Sequence, residues 1–115
     1  MNATALVAPV RAGREEEWKK FSLSLQEEPR RSEYAAFMAK CGVSRIRCWM
    51  QQTPHGMVGI VLYEGETPGG FGQQIATSQE PFAVWFRERV LELHGMDMSG
   101  PLPPPPELVT DVQAP

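Results

Sequence analysis

The sequence is poor in cysteine, which limits the kinds of site that it can form. Its 115 residues include two cysteines, Cys41 and Cys48, which stand seven positions apart. Neither their number nor their spacing matches a disulfide framework or a zinc site. We therefore expect two buried free thiols and no structural metal. No stretch of the sequence spells out a cofactor motif, so we expect no cofactor.

The sequence also lacks an excess of basic residues and any long apolar run. The formal net charge is -3 at pH 7, so no positive field attracts a phosphate backbone and we expect no nucleic-acid partner. No apolar run reaches the length of about twenty residues that spans a bilayer, so we expect no membrane partner. The first residues do not show the charged-then-apolar pattern of a signal peptide, which favours a cytoplasmic protein.

What the sequence does contain is a strong β-hairpin signal between Arg45 and Glu64. Two runs rich in β-branched, aromatic and thioether side chains flank the turn sequence Thr53-Pro54-His55-Gly56. A three-residue loop with Gly56 in a bulge would place Thr53 opposite Met57 and so set every later pair. This register predicts one mainly apolar face, under the helices, and one face of mixed aromatic and polar side chains, away from them. The residues expected on the mixed face are Arg47, Trp49, Gln51, Gly59 and Tyr63.

The remaining elements follow from hydrophobic periodicity and from the positions of proline and glycine. The predicted elements are a strand at Ala3–Arg11, two helices or one sharply kinked helix from Gly13 to Gly42 with a break at Glu28-Pro29, a helix at Pro81–His94 and a last strand at Glu107–Val112. The apolar stripes expected to face inward are Trp18, Phe21 and Leu25 before the break and Tyr34, Phe37, Met38 and Cys41 after it. Residues 67–75 read either as a helical turn or as a loop. We predict a single domain over residues 1–112, which includes a Pro-rich arm at 99–112, and a loose tail at 113–115.

This order of elements predicts an α+β fold, a ferredoxin-like βαββαβ sandwich with an antiparallel sheet. In that arrangement the first and third strands are central and the helices cover one face of the sheet. A partly apolar sheet face that carries aromatic side chains does not usually stay bare, so the mixed face predicts a second sheet packed against it.

Two motifs add a resemblance to this reading. They are W-x-Q-x-T-P-x-G at Trp49–Gly56 and P-F-x-x-W-F followed by L-H-G within Pro81–Gly95. With the order of elements, they resemble a bacterial family of unknown function in the dimeric α+β barrel superfamily. That superfamily also includes cofactor-independent antibiotic-biosynthesis monooxygenases, EthD-like proteins and haem-binding relatives of chlorite dismutase. The proximal-histidine pattern of the haem binders and the Asn and Trp pairing of the cofactor-free oxygenases have no match here.

The resemblance implies a homodimer that forms through the sheet faces. It also implies a cavity, either between sheet and helices or between the two sheets. The ligand class suggested by the mixed face is a small apolar or aromatic molecule, and the resemblance assigns no activity.

Seven residues are candidates for the site. Trp49 would form a wall of an aromatic pocket with Arg47 and Tyr63 as polar handles, or it would pack in the dimer interface. Gln51 opposite Gly59 would leave room for a ligand or for a water. His94 at a helix end is the candidate catalytic acid or base, and its alternative role is to interact with the last carbonyls of the helix. Trp85 is a candidate for substrate binding, or a core residue.

Two hypotheses about function follow. In the first, the protein is a small homodimer that binds a small apolar or aromatic molecule, with or without cofactor-free oxidation, isomerisation or cyclisation. In the second, it is a non-catalytic dimeric interaction or regulatory module. Nothing in the sequence decides whether the protein is an enzyme.

Overall fold

The chain alternates strands and helices in the order that its hydrophobic periodicity predicts, up to the end of its last helix. The structure is a computed structural model that describes residues 2–102 and 104–115. The elements are β1 (Asn2–Pro9), α1 (Glu15–Ser24), α2 (Arg30–Lys40), β2 (Val43–Thr53), β3 (Gly56–Gly65), a 3-10 turn (Pro68–Gly70), α3 (Phe71–Thr77) and α4 (Pro81–His94).

The helix boundaries follow local sequence signals. Helix α4 begins at Pro81, whose ring suits a first helical position, and ends before Gly95, which has a left-handed φ of 71°. Helices α1 and α2 are separate, as expected from Pro29, because proline removes a backbone donor from the helix. Residues 71–77, which overlap the segment 67–75 that reads either as a helical turn or as a loop, form a short helix. Within the described residues, no helix is both long and apolar enough to cross a bilayer.

The three strands form an antiparallel sheet in the order β1-β3-β2. The predicted last strand at Glu107–Val112 is wrong for this chain, because that segment is irregular and exposed. Its apolar side chains Leu108, Val109 and Val112 are 77–85% exposed, so no packing fixes it as a strand. As a result β1 is an edge of the sheet and not a central strand. The α+β architecture with an antiparallel sheet is confirmed and is consistent with the ferredoxin-like fold.

The predicted register of the hairpin is wrong by one residue. Thr53 pairs with Gly56 across a two-residue loop, and Trp49 therefore pairs with Ile60. The Thr53 side chain stabilises this tighter turn, since its hydroxyl donates to the Gly56 carbonyl at 2.7 Å and accepts from the His55 N–H at 3.1 Å. Because side chains alternate along a strand, the shift places every β3 residue on the face opposite to the predicted one.

The corrected register divides the predicted mixed face in two. Tyr63 pairs with Ile46 and Gly59 pairs with Met50, and both pairs lie on the inner face, which the helices cover. Arg47, Trp49 and Gln51 lie on the outer face, away from the helices. The five residues therefore do not share one side of the sheet.

The core lies between the inner face of the sheet and the helices. One group of buried residues joins α2, α3 and α4 to the start of β2 and to Met98, and it is centred on Phe71 and Ile75. A second and smaller group consists of Val10, Trp18, Phe21 and Leu93. Ile75 and Leu93 are completely buried, and truncation of such a side chain typically costs about 2–5 kcal/mol.

The outer face of the sheet is apolar and belongs to neither of these groups. Val7 on β1 is 61% exposed and Trp49 on β2 is 47% exposed. Between them on β3, Ile60 and Leu62 are partly exposed, and neither packs against a core group. The described part of the chain therefore leaves one sheet face largely uncovered.

Candidate functional site

A large open cavity lies between parts of helices α1 and α2 and the inner face of the sheet. Its volume is about 1210 Å³. The stripes of the two helices supply one wall with Trp18, Phe21, Tyr34 and Met38, all of which the sequence predicts to face inward. The opposite wall and the end of the cavity are formed by residues of the sheet, α3 and α4: Cys48, Val61, Tyr63, Phe71, Phe86, Val90 and His94.

Tyr34 and Tyr63 are half-buried residues with polar tips among these apolar walls. Their rings pack on Phe71, with centroid distances of 6.1 Å from Tyr34 and 5.4 Å from Tyr63. Neither tyrosine makes a side-chain hydrogen bond to any residue that the structure describes. Phe71, which is 2% exposed, thus packs against the rings of two tyrosines that line the same cavity and whose hydroxyls have no side-chain partner in the described protein.

Burial keeps both tyrosines protonated at neutral pH. It raises the pKa of the Tyr34 hydroxyl well above its usual value, and the nearby Tyr63 and Cys48 raise it further. Burial also raises the pKa of Tyr63, with a smaller contribution from Cys48. Since a neutral hydroxyl donates one hydrogen bond, the pair offers two donors to the cavity.

Cys48 borders the same part of the cavity. Cys48 is exposed and Cys41 is buried. The prediction of two buried thiols is therefore correct for Cys41 and wrong for Cys48. The surrounding protein still removes enough water to raise the pKa of the Cys48 thiol to about 11. The thiol is therefore protonated at neutral pH and is a poor nucleophile.

His94 is held by hydrogen bonds at both ring nitrogens. Nδ1 lies 2.7 Å from the Pro9 carbonyl oxygen, which can only accept, so Nδ1 carries the proton and donates. Nε2 accepts from the Trp18 indole N–H at 3.0 Å. Burial lowers the pKa of His94, partly offset by the bond to Pro9. His94 therefore joins α4, β1 and α1 as a neutral imidazole, and its catalytic role stays a prediction.

Gly59 gives Trp18 its place on the sheet. A β-carbon at position 59 would lie 2.5 Å from Cζ2 of Trp18, so the indole ring occupies the space above this glycine. The room for a ligand or a water that was expected beside the pair of Gln51 and Gly59 is not found on the Gly59 side, because Trp18 fills it. Gln51, which was expected opposite Gly59, pairs with Val58 on the outer face.

Arg47 and Trp49 border the cavity from the edge strand β2, although they lie on the outer face of the sheet. The Arg47 guanidinium is 5.6 Å from the centre of a Trp49 ring and 2.7 Å from the Glu64 carboxylate. Since Trp49 is nearly half exposed, these residues connect the cavity mouth with the bare sheet face.

Trp85 lies away from the cavity and packs among helices. The Arg30 guanidinium stacks over its ring at 3.7 Å, and the rings of Phe21 and Phe82 are 5.5 and 5.8 Å away. These contacts match the alternative reading of Trp85 as a core residue, because the ring has protein on several sides.

The Pro-rich arm forms part of the cavity wall. Leu102, Pro104, Pro105 and Pro106 all border the cavity, while the core residue Met98 anchors the start of the arm. Pro103, which belongs to the predicted proline run, lies outside the described residues. The arm thus covers part of an otherwise open space.

The polar lining of the cavity is uneven. No Asp or Glu is found among the described residues that line it, whereas Lys19, Arg31 and Arg47 are. In the parts of the chain that the structure describes, no group of three or more His, Cys, Asp or Glu residues is arranged to hold a metal ion. The cavity therefore offers donors and cations with no carboxylate among its side chains.

The sequence reading missed Trp18, Tyr34, Phe71 and Cys48 as cavity residues. Trp18 and Tyr34 were identified as inward-facing positions of helical stripes, and nothing in a stripe distinguishes a packed core from a cavity wall. One signal was present. Two aromatic residues with polar tips, Trp18 and Tyr34, stand in predicted core stripes where a closely packed core would favour aliphatic residues.

Together, these features define a small α+β protein with a cavity between an antiparallel sheet and its helices, consistent with the ferredoxin-like fold. Among solved structures it is similar to L-rhamnose mutarotase FA22100 from Formosa agariphila, with a TM-score of 0.67 and 12% sequence identity. The likeness covers 98% of this chain and 100% of that chain, and at this identity it shows the fold. No protein-family model matches the sequence, and no curated protein matches it.

Proposed function

We propose that this protein binds a small apolar or aromatic molecule in the cavity between the helices and the inner face of the sheet. The observation that carries the proposal is the cavity of about 1210 Å³, with its mainly apolar and aromatic walls and two tyrosine hydroxyls beside them. Ligand pockets are commonly large concave spaces of this kind, where a few polar groups orient a mostly apolar ligand.

We also propose that the protein is a homodimer that packs through the outer faces of its sheets. The support is the row of apolar side chains on that face, where Val7 is 61% exposed and Trp49 is 47% exposed. Large apolar patches on a soluble protein usually mark an interface. The ligand cavity lies mainly on the other side of the sheet and Val7 does not line it, so the two proposals can be tested separately.

An isomerase activity is one version of the ligand-binding proposal. It is supported by the likeness in fold to a protein named as a mutarotase. The groups available for such chemistry in this chain are hydrogen-bond donors, which act by stabilising negative charge that develops on a ligand oxygen. Cofactor-free oxidation and cyclisation are further versions that would use the same cavity.

The experiment that tests ligand binding uses 2-ethylnaphthalene, an apolar bicyclic probe, in isothermal titration calorimetry. We expect saturable binding to the protein and at least a tenfold loss of affinity in Cys48→Trp, because the indole would occupy the cavity. Leu91→Trp is the matched control. It adds a similar ring at an exposed position of α4 that does not line the cavity, and it should bind the probe normally.

The second candidate function is a non-catalytic dimeric interaction or regulatory module. The observation that favours it is the bare outer face of the sheet, which would serve assembly without any ligand. This candidate predicts no binding of the probe to a protein that still forms dimers. Binding that is lost in Cys48→Trp and retained in Leu91→Trp contradicts it.

A further inference from the structure

The hydrogen-bonding groups of the cavity are unevenly divided between donors and acceptors. Among them are the hydroxyls of Tyr34 and Tyr63, whose rings pack against Phe71 and which make no side-chain hydrogen bond in the described protein. A ligand that displaces solvent from these hydroxyls loses their hydrogen bonds unless it supplies a partner of its own. The cavity thus favours a ligand with a matching group at this place.

The best acceptor near this site is already occupied. His94 Nε2 accepts from the Trp18 indole at 3.0 Å, and its other nitrogen donates to Pro9. No carboxylate is among the described residues that line the cavity, and the amide side chains that do line it belong to the exposed residues Gln26 and Gln73. The charged side chains in the lining are therefore all donors, while hydroxyls such as those of Thr4 and Ser22, which also line the cavity, can donate or accept.

We propose that the ligand carries a carbonyl or similar acceptor oxygen on an apolar, ring-sized body, and that the hydroxyls of Tyr34 and Tyr63 bind this oxygen. This inference rests on the proposed ligand-binding function and narrows it to a class of ligand. Aromatic ketones and related neutral carbonyl compounds fit the class. Polyhydroxylated sugars fit it less well, because the mainly apolar and aromatic walls of the cavity would remove water from many of their hydroxyls without replacing its hydrogen bonds.

The protonation of the two tyrosines agrees with this assignment. Burial raises the pKa of both hydroxyls, so both keep the proton that they donate throughout the neutral range. Phe71 holds the two rings in place on a core group that includes Ile75 and Phe82, so little side-chain entropy would be lost on binding. The donors are therefore already positioned before a ligand arrives.

The test compares two probes that differ at one position of the same bicyclic body. They are 2-acetylnaphthalene, which has a carbonyl oxygen, and 2-ethylnaphthalene, which has a methylene group in its place. Affinities of both are measured by isothermal titration calorimetry for the wild-type protein, Tyr34→Phe, Tyr63→Phe and the double variant. Phenylalanine keeps the ring packing and removes only the hydroxyl, and circular dichroism checks that each variant folds.

We expect the wild-type protein to prefer the ketone by roughly tenfold, since each neutral hydrogen bond contributes a factor of a few. The preference should fall in each single variant and approach one in the double variant, while the affinity for 2-ethylnaphthalene changes little. L-Rhamnose should bind more weakly than the ketone.

Three results would overturn the inference. Equal affinity of the two probes for the wild-type protein would show that no donor in the cavity hydrogen-bonds to the carbonyl oxygen. This result would hold whether or not the variants fold. An unchanged preference for the ketone in the double variant would show that the carbonyl oxygen does not bind the two tyrosine hydroxyls. Tighter binding of L-rhamnose than of the ketone would show that the cavity favours sugars over apolar carbonyl compounds. In each of these cases the cavity still binds a ligand, whereas failure of every probe would overturn the proposed function itself.

Discussion

At the scale of single residues, Gly59 decides where Trp18 lies and so shapes one wall of the cavity. The residue was singled out from the sequence because a glycine in a strand leaves space on the sheet. Which side chain fills that space could not be predicted, since Trp18 comes from a helix far away in the sequence. Identifying such a pair requires the tertiary structure.

Replacement of Gly59 by alanine should destabilise the protein by about 1–3 kcal/mol. The added β-carbon would lie 2.5 Å from Cζ2 of Trp18, and the indole ring would have to shift and lengthen its bond to His94. Urea unfolding followed by circular dichroism measures the change. Gly69→Ala is the control, because a β-carbon there meets no atom within 4 Å. Equal stability of the two variants would contradict the close approach.

His94 makes stability depend on pH in a defined direction. Burial lowers its pKa below the usual 6.5, so the unfolded chain takes up a proton at a higher pH than the folded one. The free energy of unfolding should therefore fall as the pH decreases through 6.5 towards the folded pKa. For one proton the slope is at most about 1.4 kcal/mol per pH unit.

Variants at the two histidines test this assignment. Urea unfolding between pH 7.5 and 5 should show the fall in stability for the wild-type protein and for His55→Gln, at the exposed tip of the hairpin. His94→Gln should have a flatter profile and lower stability at pH 7.5, because it loses the hydrogen bonds to Trp18 and Pro9. Identical slopes in all three proteins would show that another group titrates.

At the scale of elements, local signals predicted the helices well and the hairpin register poorly. Helix α4 has the predicted bounds because Pro81 and Gly95 act on the backbone where they stand. The turn was harder, since Pro-His-Gly fits a bulged three-residue loop by its backbone preferences alone. The Thr53 side chain favours the tighter turn through its bonds to His55 and Gly56. Because the loop is one residue shorter than predicted, Tyr63 lies on the inner face beside the cavity and not on the outer face.

The Pro-rich arm should slow the exit of a ligand. Leu102 and Pro104–Pro106 border the cavity, and Leu102 lies over the first turn of α3, where a β-carbon on Gly72 would be 3.7 Å from its Cδ1. A chain that ends at Gly100 should release 2-acetylnaphthalene several-fold faster in stopped-flow experiments, because apolar surface beside the ligand is lost. The buried Met98 remains in this variant, while Leu102, which packs against the same core group, is removed.

A second truncation separates the wall of the cavity from the rest of the tail. A chain that ends at Glu107 keeps Pro104–Pro106 and removes the exposed Leu108, Val109 and Val112. It should release the probe at the rate of the full chain. A faster release from this variant would mean that the last residues, and not the cavity-lining prolines, retain the ligand.

At the scale of the whole molecule, the sheet separates two surfaces with different roles. Its inner face and the helices enclose the cavity, and its outer face presents an apolar surface in the described chain. The alternation of side chains in the hairpin predicted that the two faces would differ. It could not assign them, because the assignment depended on the length of one turn. The prediction that Trp49 lies on the outer face is nevertheless correct, because the side chains of β2 lie on the faces predicted for them and only those of β3 change face.

The proposed dimer can be tested by placing a charge on this surface. In a two-fold interface the same residue contributes from both subunits, so Val7→Glu would bury two carboxylates in an apolar contact. We expect the dissociation constant of the dimer, measured by sedimentation equilibrium, to rise by about 100-fold or more. Leu91→Glu, at a position of α4 that is 46% exposed, should leave the dimer unchanged.

The Val7→Glu monomer should still bind 2-ethylnaphthalene, because Val7 does not line the cavity. A wild-type protein that is monomeric at all concentrations, or a Val7→Glu dimer of normal affinity, would show that the outer face is not the interface.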